Sequence, residues 1–298
     1  MSRLQELLGK VPPISLGIIV ICVVIQICVW LFDIDLHEYT INPRAVMYLH
    51  EYFRLWSSAF LHAGLMHIAM NMMSMAGIGM PLEYSIGSLA LLFLIIWSVF
   101  LSGSLYCLIS WVAWQVTGDS SWMFQNAVGF SGVLFTLAVV ESYKSTVPTR
   151  SIFGIVSVPT RVYPWVLMLA LQIMVPQISF LGHLSGLLIG ILYSYNCLFF
   201  VMPSTVFTQE MENWRIFQSL VALPSFQRCP DNISIEQIGD LLAHTKIAVG
   251  WLAQFVWNIL QTLMAIVGIQ GNNSPQTAAS NSVDPESQRR LVNNAQRY

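Results

Sequence analysis

Charged residues fall at wide intervals along the chain and leave five long stretches with none: 11–32, 55–82, 84–118, 120–140 and 162–209. A helix needs about 20 apolar residues to cross a bilayer. The first three stretches therefore predict one span each, roughly Ile14–Phe32, Trp56–Ile78 and Ser88–Val116. The last stretch is interrupted by Val175-Pro176-Gln177, and proline disfavours an unbroken helix there. It predicts two spans, roughly Val162–Met174 and Ile178–Met202, the first starting a few residues upstream with Arg161 reaching back to the surface. The segment Ala127–Val140 has 14 residues, about 21 Å of helix against a hydrocarbon thickness of about 30 Å. So short a helix would strand its polar ends in lipid. It belongs at the centre of a bundle, with its start sunk in a protein-lined cavity.

The pattern predicts an all-α membrane protein: a bundle of six transmembrane helices with a short central fourth helix, over residues 1–203, then a tail over 204–298. The tail turns apolar again through Ile247–Ile269, but Gln254, Asn258 and Gln261 share one helical face and Trp251 and Trp257 flank it. Such an amphipathic segment suits the cytosolic membrane surface better than a seventh crossing.

Composition agrees. Charged residues make up 9% of the 298, where a soluble domain carries about 25%, and mean hydropathy is +0.63. A soluble fold and a disordered chain are excluded. A net charge of −2 argues against a nucleic-acid partner, which would want a basic face. The five cysteines form no CxxC pair, so no disulfide framework is indicated. Seven Lys and Arg fall on the side that receives the N-terminus, the 141–161 loop and the start of the tail, against two on the other. The positive-inside rule puts both termini in the cytosol, with the first span as an uncleaved signal anchor.

Ionisable and polar groups inside spans are costly and point to function. The second span carries His62, His67 and Asn71; the fourth opens with Gly129-Phe130-Ser131-Gly132; the sixth carries Gly182-His183 with Gly186 and Gly190. These alternate spans run in one direction. Ser131 and His183 lie about five residues into theirs, and His67 and Asn71 somewhat deeper, so the groups come roughly level in the outer half of the membrane. Together they fit acyl transfer. A serine hydroxyl needs an adjacent base, and His183 is the only histidine beyond Ser131 within the spans. His67 and Asn71, four apart, share a helical face and can offer hydrogen bonds to an oxyanion, as can the free N–H groups where the Ser131 helix begins. His62 points about 140° away from His67 and is expected to anchor the loop. Gly182, Gly186 and Gly190 form a small-residue stripe which, opposite Gly129 and Gly132, lets the fourth and sixth spans approach closely. Each signal alone also reads as packing, and the histidines as metal ligands, but no HExxH or second carboxylate accompanies them. No metal or organic cofactor is implied.

These motifs resemble the rhomboid family of intramembrane serine proteases: His62-x4-His67-x3-Asn71, Leu82-Glu83-x3-Gly87-Ser88 in the following loop, Gly129-Phe130-Ser131-Gly132 and Gly182-His183-x2-Gly186-x3-Gly190. The stretches Ala127–Leu134 and Tyr163–Tyr195 look most like eukaryotic endomembrane members, especially a plant rhomboid-like group. The resemblance implies a Ser131–His183 catalytic dyad, an oxyanion hole of His67, Asn71 and the Ser131 N–H, transmembrane protein substrates, and an ER or Golgi membrane. Phe135 stands where many bacterial members have tyrosine; its ring can still pack on His183. A rival reading is a catalytically silent rhomboid-like protein that binds membrane clients for quality control or trafficking; a small-molecule transporter is a weaker third. The sequence leaves substrate identity and oligomeric state open.

Overall fold

The computed structural model describes residues 11–230, and the predicted surface helix at 247–269 lies outside them. The described chain is mostly helical. Three helices are long and apolar enough to cross a membrane: α1 (Pro13–Leu31), α4 (Leu65–Ile86) and α5 (Ser88–Thr117). Between the first two lie the short helices α2 (Pro43–Tyr48) and α3 (Arg54–Phe60). After α5 come α6 (Ser131–Lys144), an antiparallel hairpin of β1 (Thr149–Ile152) and β2 (Val156–Pro159), and the apolar helices α7 (Tyr163–Met174) and α8 (Phe180–Ser194). A last short helix, α9 (Thr205–Met211), follows.

The first and third predicted spans match α1 and α5 within a residue or so. The second does not. It was expected from Trp56, but the chain breaks at Leu61–Gly64 and the long helix runs Leu65–Ile86. The uncharged stretch continues through the break with His62 as its one ionisable residue, so the charge pattern does not register it. The break is held by a hydrogen bond from the His62 N–H to Oε1 of Gln26 on α1 (3.2 Å). At its far end α4 continues through what the sequence suggested was a loop. Pro81 would collide with the Gly77 carbonyl in a regular α-helix. A widened turn at Met75–Gly79 spaces that contact out and lets the helix go on.

Glu83 thus sits on a helix rather than in a loop, fully buried. Its carboxylate accepts from the Ile14 N–H (3.0 Å), the Ser15 N–H (2.8 Å) and the Ser15 and Ser88 hydroxyls (2.7 Å each). The first turn of a helix has N–H groups with no intrahelical acceptor and a positive dipole end. Glu83 supplies the missing acceptors and the opposite charge, and so ties α1 to the α4–α5 turn. Gln227 pairs with that turn from the other side: the Ser88 N–H donates to the Gln227 carbonyl (2.7 Å) and the Gln227 N–H to the Ser88 hydroxyl (3.1 Å).

Three other boundaries move. The fourth helix keeps its 14 residues but begins at Ser131 rather than Ala127, because Ala127 is paired with Ile41 in a β-bridge and Gly129 is in a left-handed conformation (φ +118°). The fifth does not extend upstream of Val162; the hairpin takes that chain instead. The sixth stops at Ser194 rather than Met202. There the Cys197 N–H bonds back to Leu192 (2.8 Å) and the Asn196 N–H to Tyr193 (2.9 Å), with Asn196 at φ 57°. This is a Schellman termination, with asparagine in the left-handed position.

The core lies around α6, whose residues Val133–Val140 are all buried. A helix apolar on every face belongs at the middle of a bundle. Leu137 within it, and Phe130, Leu91 and Leu94 beside it, are completely enclosed.

Candidate active site

Three helix starts converge on one cavity of about 640 Å³. Ser131 is the first residue of α6, His183 the fourth of α8, and His67 and Asn71 the third and seventh of α4. All four line the cavity, and none of its lining residues is charged. Counted from its helix start, His67 is therefore about level with His183 and Asn71 about one turn further in, where a span beginning at Trp56 would have put both further still.

Close helix packing sets the geometry. A Cβ on Gly186 would lie 1.8 Å from the Gly132 carbonyl oxygen, so the α6 and α8 backbones touch at that point. The Thr136 hydroxyl donates to the Gly186 carbonyl (2.7 Å), adding a polar tie. A Cβ on Gly190 would meet Val139 and Thr136 of α6 at 2.7–2.8 Å, whereas one on Gly182 would meet only Ser179 of its own first turn. Of the predicted stripe, Gly186 and Gly190 carry the helix–helix contact. Gly182 contributes differently: a Cβ on Gly132 would meet its carbonyl oxygen at 3.2 Å.

That approach brings Ser131 Oγ and His183 Nε2 to 2.8 Å, hydrogen-bond distance. For Nε2 to accept the serine proton, Nδ1 must carry the ring hydrogen. Nδ1 is buried, with no hydrogen-bond partner among the described residues, so the pair has no third member there. Phe135 packs on the imidazole, with ring centroids 4.7 Å apart, and fixes its plane without a hydroxyl.

His67 Nδ1 lies 3.3 Å from the Ala63 N–H and accepts from it. In a neutral imidazole that leaves Nε2 as the donor. The Nε2 edge lies against Gly129, where a Cβ would stand 2.6 Å away, two residues before Ser131. Asn71 Nδ2 donates one hydrogen to the His67 carbonyl (2.8 Å) and keeps a second. The Ser131 N–H begins a helix and has no acceptor within it. In a cavity with no charged lining, such donors act more strongly than in water.

His62 lies in the loop before α4, not in a span. Its ring is fully buried, edge-on to His67 at 5.1 Å between centroids. Gln26 and Ser58 are supports the sequence reading missed. Gln26 holds the His62 backbone, and the Ser58 carbonyl accepts from the Gly129 N–H (2.8 Å). Gln26 was detectable as the one large polar side chain within the first apolar stretch; nothing in the sequence marks Ser58. Among the described residues no group of three or more His, Cys, Asp or Glu could hold a metal ion.

A family model described as the rhomboid domain matches residues 49–217, more than half the chain. The chain belongs to the rhomboid family. This rhomboid is 29% identical to "Rhomboid-like protein 15" of Arabidopsis thaliana over 293 residues, covering 96% of this chain and 69% of that protein. It is 36% identical to "Rhomboid-like protein 14, mitochondrial" of the same plant over 164 residues, 52% of this chain and 46% of that protein. It is 28% identical to "Rhomboid protease GlpG" of Serratia proteamaculans over 199 residues, 65% of this chain and 66% of that protein. The matches thus span about half to two thirds of these relatives' lengths. The family includes serine intramembrane proteases, and the several apolar helices make this member a membrane protein.

Proposed function

We propose that this rhomboid is an intramembrane serine endopeptidase that cleaves transmembrane segments of other membrane proteins. The observation that carries the reading is the 2.8 Å contact between Ser131 Oγ and His183 Nε2, in a cavity shared with His67 and Asn71. Ser131 Oγ attacks the scissile carbonyl carbon as its proton passes to His183 Nε2. The carbonyl oxygen becomes an oxyanion that accepts hydrogen bonds from His67 Nε2, Asn71 Nδ2 and the Ser131 N–H. As the tetrahedral intermediate collapses, the C–N bond breaks and His183 returns the proton to the leaving amine. Water from the cavity then attacks the acyl-enzyme as His183 takes its proton; the ester bond to Ser131 Oγ breaks, His183 returns the proton to Oγ, and the new carboxyl group leaves. A substrate helix must unwind locally to present its carbonyl, so substrates with Gly or Pro near the scissile bond are favoured.

In this reading α1, α4, α5, α6, α7 and α8 are the six membrane crossings, with both termini cytosolic in an endomembrane such as the ER or Golgi. The rhomboid domain occupies 1–203 and the tail 204–298 remains cytosolic. A serine-directed fluorophosphonate tests the proposal. It should label the purified protein and fail to label Ser131→Ala. Absence of labelling in the folded wild type would favour a client-binding protein without catalysis.

A further inference from the structure

The β1–β2 hairpin has no part in the site just described, yet it is built in an unusual way. Its tip is apolar and exposed: Phe153 is 50% exposed, Ile155 82% and Val156 54%. The turn is closed by the Ile155 N–H donating to the Ile152 carbonyl (3.0 Å), with Phe153 at φ 52° and Gly154 at φ 74°. Two left-handed residues in succession favour Asn-Gly. A phenylalanine in the first position carries a steric cost, and in water it gains nothing in return.

The base of the hairpin is firmly held. Arg150 of β1 pairs with Glu141 of α6 and lies over the Tyr163 ring of α7, 5.8 Å from its centroid. The Thr160 hydroxyl closes the neck by donating to the Val147 carbonyl (2.5 Å). Lys144 and Arg161 flank the hairpin. Arg161 lies over the Tyr143 ring at 5.3 Å, and neither cation has an ion-pair partner among the described residues. No Asp or Glu occurs from 142 to 209.

We propose that this hairpin is a lipid anchor whose apolar tip sits in the headgroup layer of an anionic leaflet, with Lys144 and Arg161 meeting the lipid charges. The hairpin leaves the end of one apolar helix and enters the start of another, so its base lies at the membrane surface. Strands of four residues reach about 13 Å, and the polar layer on each side of a bilayer is about 5–8 Å thick. A hairpin of that reach keeps its tip in the layer when it lies along the surface rather than standing upright. Lipid supplies the apolar partner that Phe153, Ile155 and Val156 lack, and the unmatched cations choose an anionic surface. Because β1 is tied to the start of α7, the anchor also fixes that helix against the leaflet. None of this depends on catalysis.

Site-directed spin labelling tests it. Cys28 and Cys197, the half-buried thiols, are first replaced by alanine. A nitroxide is then placed by Ile155→Cys in the full chain, reconstituted in phosphatidylcholine vesicles with and without phosphatidylserine. Collisions with oxygen, which partitions into lipid, should exceed those with a neutral water-soluble nickel chelate. A label at the exposed Thr146→Cys should show the reverse. Phosphatidylserine should deepen the Ile155 label. Lys144→Gln with Arg161→Gln should remove that increment, by about fivefold in the in–out equilibrium for each cation. Phe153→Ser with Val156→Ser should move the label into water. A tip as open to the nickel chelate as Thr146 in both vesicle types would overturn the proposal and make the hairpin a candidate surface for a protein partner. A buried tip indifferent to phosphatidylserine would overturn the anionic selectivity.

Discussion

Gly186→Ala should cripple the proposed activity, although it adds a single methyl group to an apolar helix. The new Cβ would lie 1.8 Å from the Gly132 carbonyl oxygen, 2.6 Å from its carbon and 2.9 Å from its Cα. All three are backbone atoms and cannot rotate away. Restoring ordinary contact at 3.4 Å requires the two helices to part by about 1.6 Å at this point. Gly132 adjoins Ser131, and Gly186 is less than one turn from His183. A rigid separation would therefore stretch the 2.8 Å Ser131–His183 hydrogen bond to about 4.4 Å, beyond bonding range. A misplacement of about 1 Å can cost about 100-fold in rate, and overpacking of this kind costs about 1–3 kcal/mol in stability, sometimes more.

The assay is the rate of fluorophosphonate labelling per folded molecule, measured well below the unfolding midpoint of each variant. Gly182→Ala is the internal control, since its Cβ would meet only Ser179 of its own first turn, at 3.2 Å and beyond. Gly190→Ala should destabilise through Val139 and Thr136 but disturb the site less, because it lies about two turns from His183. A Gly186→Ala rate equal to that of Gly182→Ala would refute the reasoning, because the three glycines would then be an undifferentiated stripe.

Two further outcomes follow from the geometry. Asn71→Ala should lower kcat by about 10- to 1000-fold with little change in KM, because the donor acts mainly in the transition state; steady-state kinetics on a transmembrane substrate in micelles would show the split, and a raised KM at constant kcat would make Asn71 a binding residue. Glu83→Gln should lower the thermal midpoint in detergent, since an NH2 group would face donors from Ile14, Ser15 and Ser88 and leave at least one unsatisfied, at a cost of about 1–3 kcal/mol; an unchanged midpoint would mean the carboxylate is not the clasp described.

The groups that meet in the cavity were legible in the sequence because polarity inside an apolar stretch is conspicuous. Ser131, His183, His67 and Asn71 stand out for that reason, and the structure brings all four together. Helix boundaries were less legible because hydropathy measures composition, not hydrogen bonding. The break at Leu61–Gly64 carries no formal charge or proline to mark it and is held by Gln26 from another helix. The stop at Ser194 is a local asparagine cap inside a stretch that remains apolar to Met202. The hairpin was hidden because a tip of Phe153, Gly154 and Ile155 carries no Asn-Gly turn signal. Glu83 was visible as the charge that ended a stretch and as part of a motif assigned to a loop, not as a clasp between helices. Three of its four hydrogen bonds reach back to the first helix, a pairing that no local pattern records.

Cleavage of a co-reconstituted transmembrane substrate shows whether Ser131 and His183 act as one catalytic unit. Wild type, Ser131→Ala, His183→Ala and the double variant should be compared at equal folded concentration. Each single variant should lose essentially all cleavage, and the double variant should be no worse than either, because residues acting as a unit do not lose activity additively. Cleavage by purified Ser131→Ala at a rate near wild type would contradict it.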